Sequence, residues 1–155
     1  MNVQYINPFI EASNLIISQT TGFQSTLGKV YIKDTPCKSD NVVVLIGLTG
    51  KIRGNVIISF NPKLACKIAS AMMGGMPVPE LDEMAKSAIG ELCNMILGTT
   101  ATILSKNKIE IEITPPTLFV GKNMSFTSSN SVIVCVPLLF EHNEAIEIDI
   151  SYIEQ

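Results

Sequence analysis

Charged residues are scarce in this sequence, and those present are dispersed. Of the 155 residues only 16% are Asp, Glu, Lys or Arg, the formal net charge is −3, and Lys and Arg form no cluster. A basic surface is the electrostatic requirement for binding a phosphate backbone, so the composition argues against nucleic acid as a partner. Because 46% of the residues are hydrophobic, the chain can bury a substantial core and is not a disordered protein.

Long apolar runs are also missing. The longest, residues 42–48 and 132–140, fall well short of the roughly 18 residues that a membrane-spanning helix needs. Near the N-terminus Asn7, Pro8 and Glu11 interrupt the apolar pattern, and the basic region of a signal peptide is lacking. We therefore expect a cytoplasmic protein that does not insert into a membrane.

Candidate metal ligands and nucleophiles are few. The four cysteines are Cys37, Cys66, Cys93 and Cys135. They form no Cys-x-x-Cys pair, so we interpret them as reduced and mostly buried thiols. His142, the only histidine, lies in Glu141-His142-Asn143-Glu144, which is typical of a hairpin turn. No metal site of the protein's own is predicted, and Gly74-Gly75 lacks the Lys and Ser/Thr of a P-loop.

The hydrophobic periodicity predicts two series of a helix followed by strands. The first has a helix at residues 7–20, with Pro8 in its first turn, and strands at 29–33, 41–48 and 53–60. A helix at residues 62–73 and a proline-containing linker follow. The second series has a long helix at 81–105 and strands near 109–113, 117–120, 132–139 and 145–151.

These two series describe an α+β fold. A helix followed by strands, twice, with an extra helix between the two series, predicts helices layered on an antiparallel sheet that both series share. We predict a single domain over residues 1–155, with pseudo-repeats at about 5–60 and 82–151.

The most informative feature is the pair Glu91 and Asn94 within the long helix. Residues three apart on a helix project from one face. The predicted core stripe lies elsewhere, on Ala85, Ile89, Leu92, Ile96, Thr99 and Ile103. The outer side carries a second row, which we call the polar ribbon: Ser87, Glu91, Asn94 and Gly98. A polar pair on a rigid element, with small neighbours, can enter the active site of another molecule.

An offset of 80 residues aligns this pair with an earlier one. Residues 9–14, Phe-Ile-Glu-Ala-Ser-Asn, then match residues 89–94, Ile-Gly-Glu-Leu-Cys-Asn. Glu11 and Asn14 thereby repeat Glu91 and Asn94. This possible second pair is consistent with an internal duplication.

The pattern Ser87-x-x-x-Glu91-x-x-Asn94, with a downstream proline at Pro115 or Pro116, resembles the signature of the CheC/CheX/FliY family of chemotaxis phosphatases. The opening residues 6–11, Ile-Asn-Pro-Phe-Ile-Glu, also resemble the start of CheX-type chains. The resemblance covers the whole sequence. The proline spacing is slightly shorter than in the family's usual pattern, which leaves the role of the proline open.

The resemblance implies a CheC-like fold and hydrolysis of the aspartyl phosphate on the response regulator CheY. In that reading Asn94 positions the attacking water, and Glu91 docks on the active-site lysine of the receiver domain. The phosphatase would need no cofactor of its own, because the bound receiver supplies Mg²⁺. The resemblance also implies a homodimer formed through sheet edges. Strands 132–139 and 145–151 are apolar enough to contribute.

Several residues keep two interpretations. Ser87, Gly90 and Gly98 are candidate partner-binding residues, but Ser87 could equally be a solvated helix residue, and glycine on a helix also permits close packing of the chain's own elements. For Glu11 and Asn14 we favour a structural or surface role, since CheX-type chains are expected to carry one active pair.

Two other functions are also compatible with the pattern. One is a non-catalytic module, related to the flagellar switch, that holds a receiver domain without hydrolysing its phosphate. The other is phosphatase activity toward a receiver other than CheY, because the docking lysine and acidic pocket occur in receiver domains generally.

Overall fold

The computed structural model describes residues 2–33, 37–39, 42–127 and 132–155. Its helices are α1 (Val3–Thr21), α2 (Pro62–Met72) and α3 (Glu83–Lys106), and a 3-10 turn lies at Glu141–Asn143. Its strands are β1 (Thr26–Leu27), β2 (Tyr31–Lys33), β3 (Cys37–Ser39), β4 (Val42–Gly50), β5 (Ile52–Phe60), β6 (Ile111–Ile113), β7 (Thr117–Val120), β8 (Met124–Phe126), β9 (Ile133–Leu139) and β10 (Ala145–Glu154).

Helix α1 begins earlier than the sequence pattern suggested. The side chain of Asn2 caps it by accepting a hydrogen bond from the backbone N–H of Gln4 at 3.0 Å. Pro8 is therefore the sixth residue of the helix, inside it, and the prediction that Pro8 lies in the first turn is wrong. The helix ends at Gly22, whose left-handed conformation (φ 77°) lets its N–H bond to the carbonyl of Ser18.

The strands build an antiparallel sheet, which confirms the predicted α+β architecture. The order is β1-β9-β10-β5-β4-β6, with β2 also paired to β9 and β7 also paired to β4. Strands β3 and β8 form a separate two-stranded ribbon. The strands that were not predicted, β1, β3 and β8, are two or three residues long, too short to show an alternating pattern.

The core lies between the helices and one face of the sheet. Along β4, β5, β9 and β10 the even-numbered apolar residues face the helices and are buried, as in Val42, Ile58, Val136 and Ile148. Odd-numbered residues of the same strands face the opposite side of the sheet. Phe9 of α1 is fully buried among these groups.

Helix α3 is the central helix of this core. It buries Ala85, Ile89, Leu92, Cys93, Ile96, Leu97, Thr100 and Leu104. The predicted core stripe is right up to Ile96, but beyond it Thr100 and Leu104 are buried. The predicted Thr99 and Ile103 are only half-buried. The stripe is wider than a single row because α3 contacts α1, α2, β6 and β7.

Within the described part of the chain, α3 is also the one helix long and apolar enough to cross a membrane by length and composition. A core helix of a globular domain meets the same two criteria. Its buried side chains belong to the domain core, together with those of α1, α2 and the sheet.

Two smaller expectations concern the C-terminal hairpin and the thiols. The segment with His142 does form the turn between β9 and β10, as predicted. Cys93 and Cys135 are buried, Cys66 is half-buried, and all three are free thiols. Burial, assisted by the carboxylate of Asp149, raises the pKa of Cys135 to about 12. The side chain of Cys37 lies outside the described residues.

Candidate functional site

A groove of about 710 Å³ runs between the N-terminal half of α3 and strand β7. Its lining residues are Glu83, Lys86, Ser87, Gly90, Glu91, Asn94, Pro116, Leu118 and Val120. We call it the α3–β7 groove. It brings the predicted pair together with one of the two candidate prolines, Pro116, whereas Pro115 is not among the lining residues.

Helix geometry presents the pair rigidly. The side chain of Asp82 caps α3 by accepting a hydrogen bond from the N–H of Ala85 at 2.9 Å, and the helix continues unbroken to Lys106. Glu91 is exposed and Asn94 is half-buried, both on the groove side of the helix. Neither side chain makes a hydrogen bond or ion pair with another residue that the structure describes. The amide and carboxylate are therefore presented to whatever enters the groove.

Strand β7 reaches the groove through its pairing with β4. Val120 lies opposite Val42 and Leu118 opposite Val44, so Leu118 and Val120 point toward the helix side of the sheet. Their neighbour Phe119 points to the opposite side of the sheet. There its ring packs edge-on against the ring of Phe126, with 6.2 Å between the two ring centroids. Leu118 packs partly against the core, whereas Val120 is 53% exposed.

The proline segment before β7 interrupts the ladder along β4. Strand β6 pairs with β4 up to Ile113. The backbone N–H of Thr114 then donates to the carbonyl of Gly47 at 3.0 Å, and the N–H of Gly47 donates to the Thr114 hydroxyl at 2.8 Å. Pro115 and Pro116 have no N–H to donate, so the pairing resumes only at Thr117. This break places Pro116 at the wall of the groove.

The small residues on or beside the polar ribbon do not all line the groove. Ser87 and Gly90 line it, while Gly98 lies farther along α3 and does not. A Cβ built at Gly90 or Gly98 would meet nothing within 4 Å among the described residues. The interpretation that Gly90 allows close packing of the chain's own elements is therefore wrong for this part of the chain. What the glycine does provide is open space beside Glu91.

The charges of the groove are unevenly compensated. Lys86 and Glu83, at the N-terminal end of the groove, form an ion pair with a distance of 3.1 Å between Nζ and Oε1. Glu91 has no cationic partner among the described residues. A partner that enters the groove therefore meets one unpaired carboxylate next to one carboxamide.

The earlier pair on α1 has different surroundings. Glu11 is exposed, but the Asn14 side chain accepts a hydrogen bond from the hydroxyl of Ser25 at 2.8 Å. Ser25 belongs to the segment that follows α1, so the bond ties this segment to the helix. Asn14 thus has a structural partner that Asn94 lacks in the described structure.

A second group of polar residues lies on the helix-free face of the sheet. Cys135, Glu147 and Asp149 offer ligand atoms within 4.8 Å of one another. However, the ammonium of Lys33 lies 2.8 Å from Glu147 and 2.9 Å from Asp149. Burial lowers the pKa of Lys33, but its hydrogen bonds to the two carboxylates outweigh this and raise the pKa overall. The positive charge of this cluster is therefore supplied by the protein itself.

Sequence reasoning did not find the apolar wall of the groove. Residues 117–120 were predicted as a strand, and their alternation of exposed and half-buried positions is weak. Nothing in their local pattern indicates that Leu118 and Val120 lie next to the polar ribbon. Lys86 and Glu83 could have been found from their spacing of three on the predicted helix.

Several known proteins are similar to this chain. The family model described as chemotaxis phosphatase CheX matches residues 42–139. The CheY-P phosphatase CheX of Thermotoga maritima is 35% identical over 151 residues, which make up 97% of this chain and 97% of that protein. The crystal structure of a CheC-like superfamily protein from Shewanella sp. PV-4 has a TM-score of 0.87 and 28% identity, covering 99% of each chain.

A third relative comes from a complex. A chain of the CheX–CheY–BeF3–Mg²⁺ complex from Borrelia burgdorferi has a TM-score of 0.84 and 26% identity, covering 99% of this chain and 100% of that chain. The predicted resemblance is confirmed by sequence and by fold. This chain belongs to the CheX family of chemotaxis phosphatases.

Proposed function

We propose that this protein hydrolyses the aspartyl phosphate of a CheY-type response regulator in chemotaxis signalling. The observation that carries the proposal is the pair Glu91 and Asn94, held side by side in a groove that is open to a partner. The Thermotoga maritima relative, named CheY-P phosphatase CheX, supports it at 35% identity. So does the Borrelia burgdorferi complex, in which CheX is bound to CheY with BeF3 and Mg²⁺.

Hydrolysis of an aspartyl phosphate requires few catalytic groups from the phosphatase. Water attacks phosphorus, the bond from phosphorus to the aspartyl oxygen breaks, and the products are the free carboxylate and inorganic phosphate. Asn94 is proposed to hold the attacking water in line through hydrogen bonds of its carboxamide. Because an amide is not basic, its contribution is orientation of the water and not removal of its proton.

Glu91 is proposed to dock the receiver domain. Its exposed carboxylate, one helical turn from Asn94, would accept a hydrogen bond from the receiver's active-site lysine. Such a charge-assisted contact anchors the complex and orients Asn94 toward the phosphoryl group. Ser87 and Gly90 are proposed as further contacts along the same groove wall.

We propose that Mg²⁺ belongs to the receiver and that this chain has no cofactor of its own. Magnesium prefers several oxygen ligands in an octahedral arrangement. The carboxylates in the groove are those of Glu83 and Glu91, and Glu83 is paired with Lys86. The groove therefore offers a docking carboxylate more readily than a magnesium site. A receiver as substrate also implies action in the cytoplasm.

A homodimer that joins sheet edges is part of the proposal. Strand β10 pairs with both β5 and β9, so it cannot form an edge, and the expectation that it contributes directly to such an interface is wrong. Among the described strands of the large sheet, the edges are formed by β1 and β2 beside β9, and by β6 and β7 beside β4. At the first of these, Ile32 and Leu27 are exposed apolar residues.

We also propose that residues 1–155 form one domain built from two pseudo-repeats. The core cluster draws on both halves of the chain. Each half supplies one long helix, α1 or α3, and one hairpin of the central sheet, β4–β5 or β9–β10. Of the two Glu/Asn pairs, only Glu91 and Asn94 in the second half are proposed to face the receiver and to be active.

The test is phosphate release from a phosphorylated, Mg²⁺-loaded CheY-type receiver, with binding of the same receiver loaded with BeF3 measured in parallel. We expect wild-type protein to accelerate release, Asn94→Ala to abolish the acceleration with binding retained, and Glu91→Ala to weaken binding. Glu11→Ala and Asn14→Ala are matched controls at equivalent spacing on α1. Binding by the wild type without acceleration would favour the non-catalytic receiver-binding module.

A further inference from the structure

The two walls of the α3–β7 groove differ in chemistry. The helix wall carries the polar and charged groups, whereas the strand wall consists of Pro116, Leu118 and Val120. Val120 is 53% exposed although it lies on the helix side of the sheet. The catalytic and docking roles proposed for Asn94 and Glu91 do not require an apolar wall opposite them.

The groove is also longer than a phosphoryl group requires. Its helix wall extends from Glu83 to Asn94, which corresponds to about 16 Å along a helix axis. The reacting atoms need to reach only the Asn94 side chain. The remaining length can accept a segment of protein surface, with an unpaired negative charge at Glu91 and an apolar surface opposite it.

The strand wall is already formed in the chain without a partner. Val120 and Leu118 are held by antiparallel pairing to Val42 and Val44, both of which are fully buried. A preformed apolar surface loses little conformational entropy on binding, so most of the gain from its burial contributes to affinity. This favours a binding role over a catalytic one, since valine has no group that acts on a phosphoryl group.

We infer that Pro116, Leu118 and Val120 form the second half of the receiver-docking surface and contact apolar side chains next to the phosphorylated aspartate. The inference rests on the proposed function and extends it to the partner's surface: a cation faces Glu91, and apolar residues face Val120. The strand wall determines how tightly the receiver binds, whereas Asn94 determines how fast the bound phosphoryl group is hydrolysed.

The test compares Val120→Ser with Val132→Ser. Both valines are largely exposed, at 53% and 57%, but Val132 lies outside the groove. For Val120→Ser we expect KM for the phosphorylated receiver to rise about tenfold, with kcat unchanged and the Kd for the BeF3-loaded receiver raised by the same factor. Val132→Ser is expected to match the wild type in all three quantities.

Val120→Thr provides a second variant that keeps the shape and strand preference of valine. A rise of KM in this variant with an unchanged Tm shows that the apolar character of the side chain matters, and that unfolding is not the cause. Wild-type KM and Kd in both Val120 variants would overturn the inference. So would a loss of self-association in Val120→Ser, because the wall would then contact a second copy of this chain.

The two proposals fail in different ways. If the wild type binds the receiver without accelerating phosphate release, the proposed function fails, and the Kd values still decide whether the strand wall binds. If Asn94→Ala abolishes the acceleration of phosphate release but Val120→Ser leaves KM and Kd unchanged, the proposed function stands and this inference is rejected.

Discussion

Ser25 donates a hydrogen bond of 2.8 Å to Asn14, the residue of α1 that an offset of 80 positions aligns with Asn94 of α3. The two asparagines each follow a glutamate by three residues on a long helix. In the described structure the amide of Asn14 is engaged within the chain, whereas that of Asn94 lines the α3–β7 groove. This difference separates a structural asparagine from one that is available to a partner.

Asn94→Ala is expected to lower kcat by at least about 10²-fold, to the point where acceleration is lost, because the in-line water loses its orienting group. Binding of the BeF3-loaded receiver should change little. In Asn14→Ala, kcat should be unchanged, and the free energy of unfolding should fall by about 1 kcal/mol as the bond to Ser25 is lost. Stopped-flow phosphate release and urea unfolding measure the two effects. Equal kcat values for Asn94→Ala and wild type would contradict the proposed role.

Glu91→Gln removes the charge of the docking residue and keeps its shape. A hydrogen bond to a charged group contributes about 1.5–3 kcal/mol, so we expect Kd for the receiver to rise at least tenfold. The dependence of Kd on salt should also become weaker, since a screened ion pair is lost. Isothermal titration at two salt concentrations measures both. An unchanged salt dependence would show that Glu91 meets no cation.

Gly90→Ala and Gly98→Ala form a matched pair on α3. Neither added methyl group meets an atom within 4 Å in the described structure, and alanine is favoured over glycine in a helix by about 1 kcal/mol. Both variants should therefore have a higher Tm. Only Gly90→Ala should raise KM, because only Gly90 lines the groove. Equal KM values for the two variants would argue against close approach of the partner at Gly90.

The ion pairs of Lys33 and Lys86 are expected to contribute very differently to the stability of the fold. Lys33→Met leaves the carboxylate of Asp149, which is 2% exposed, without its ammonium partner. We expect a loss of about 3–5 kcal/mol in the free energy of unfolding. Lys86→Met breaks an exposed pair on α3 and should cost less than about 1 kcal/mol. Chemical denaturation of both variants tests the comparison, and similar losses would refute it.

Alkaline pH should destabilise the fold through its buried thiols. Burial raises the pKa of Cys135 from 9.0 to about 12, and burial also raises the pKa of Cys93. Between these values the folded state binds more protons than the unfolded state, so the free energy of unfolding falls as pH rises above 9. Urea unfolding at pH 7.5, 9 and 10 measures the slope. Replacing both thiols in Cys93→Val/Cys135→Val should flatten it, and an unchanged slope would exclude them as its source.

Most helices and strands could be predicted because their signals are local. The strand at residues 117–120 was predicted with the bounds of β7, and the long helix within two residues of the bounds of α3. The start of α1 was missed because one side-chain cap, at Asn2, extends the helix upstream of Pro8. The very short β1, β3 and β8 exist only through their pairing partners, which local periodicity cannot reveal.

The sequence by itself determined the polar ribbon of α3, because helical geometry places Glu91 beside Asn94 whatever surrounds the helix. It also determined the family, through residue types at short spacings. Only the tertiary structure decided that these residues face an apolar wall. That wall depends on β7 pairing with β4, in a ladder where Gly47 and Thr114 meet across 67 positions of sequence. Contacts between such distant segments follow from the packing of the whole sheet, which no local pattern encodes.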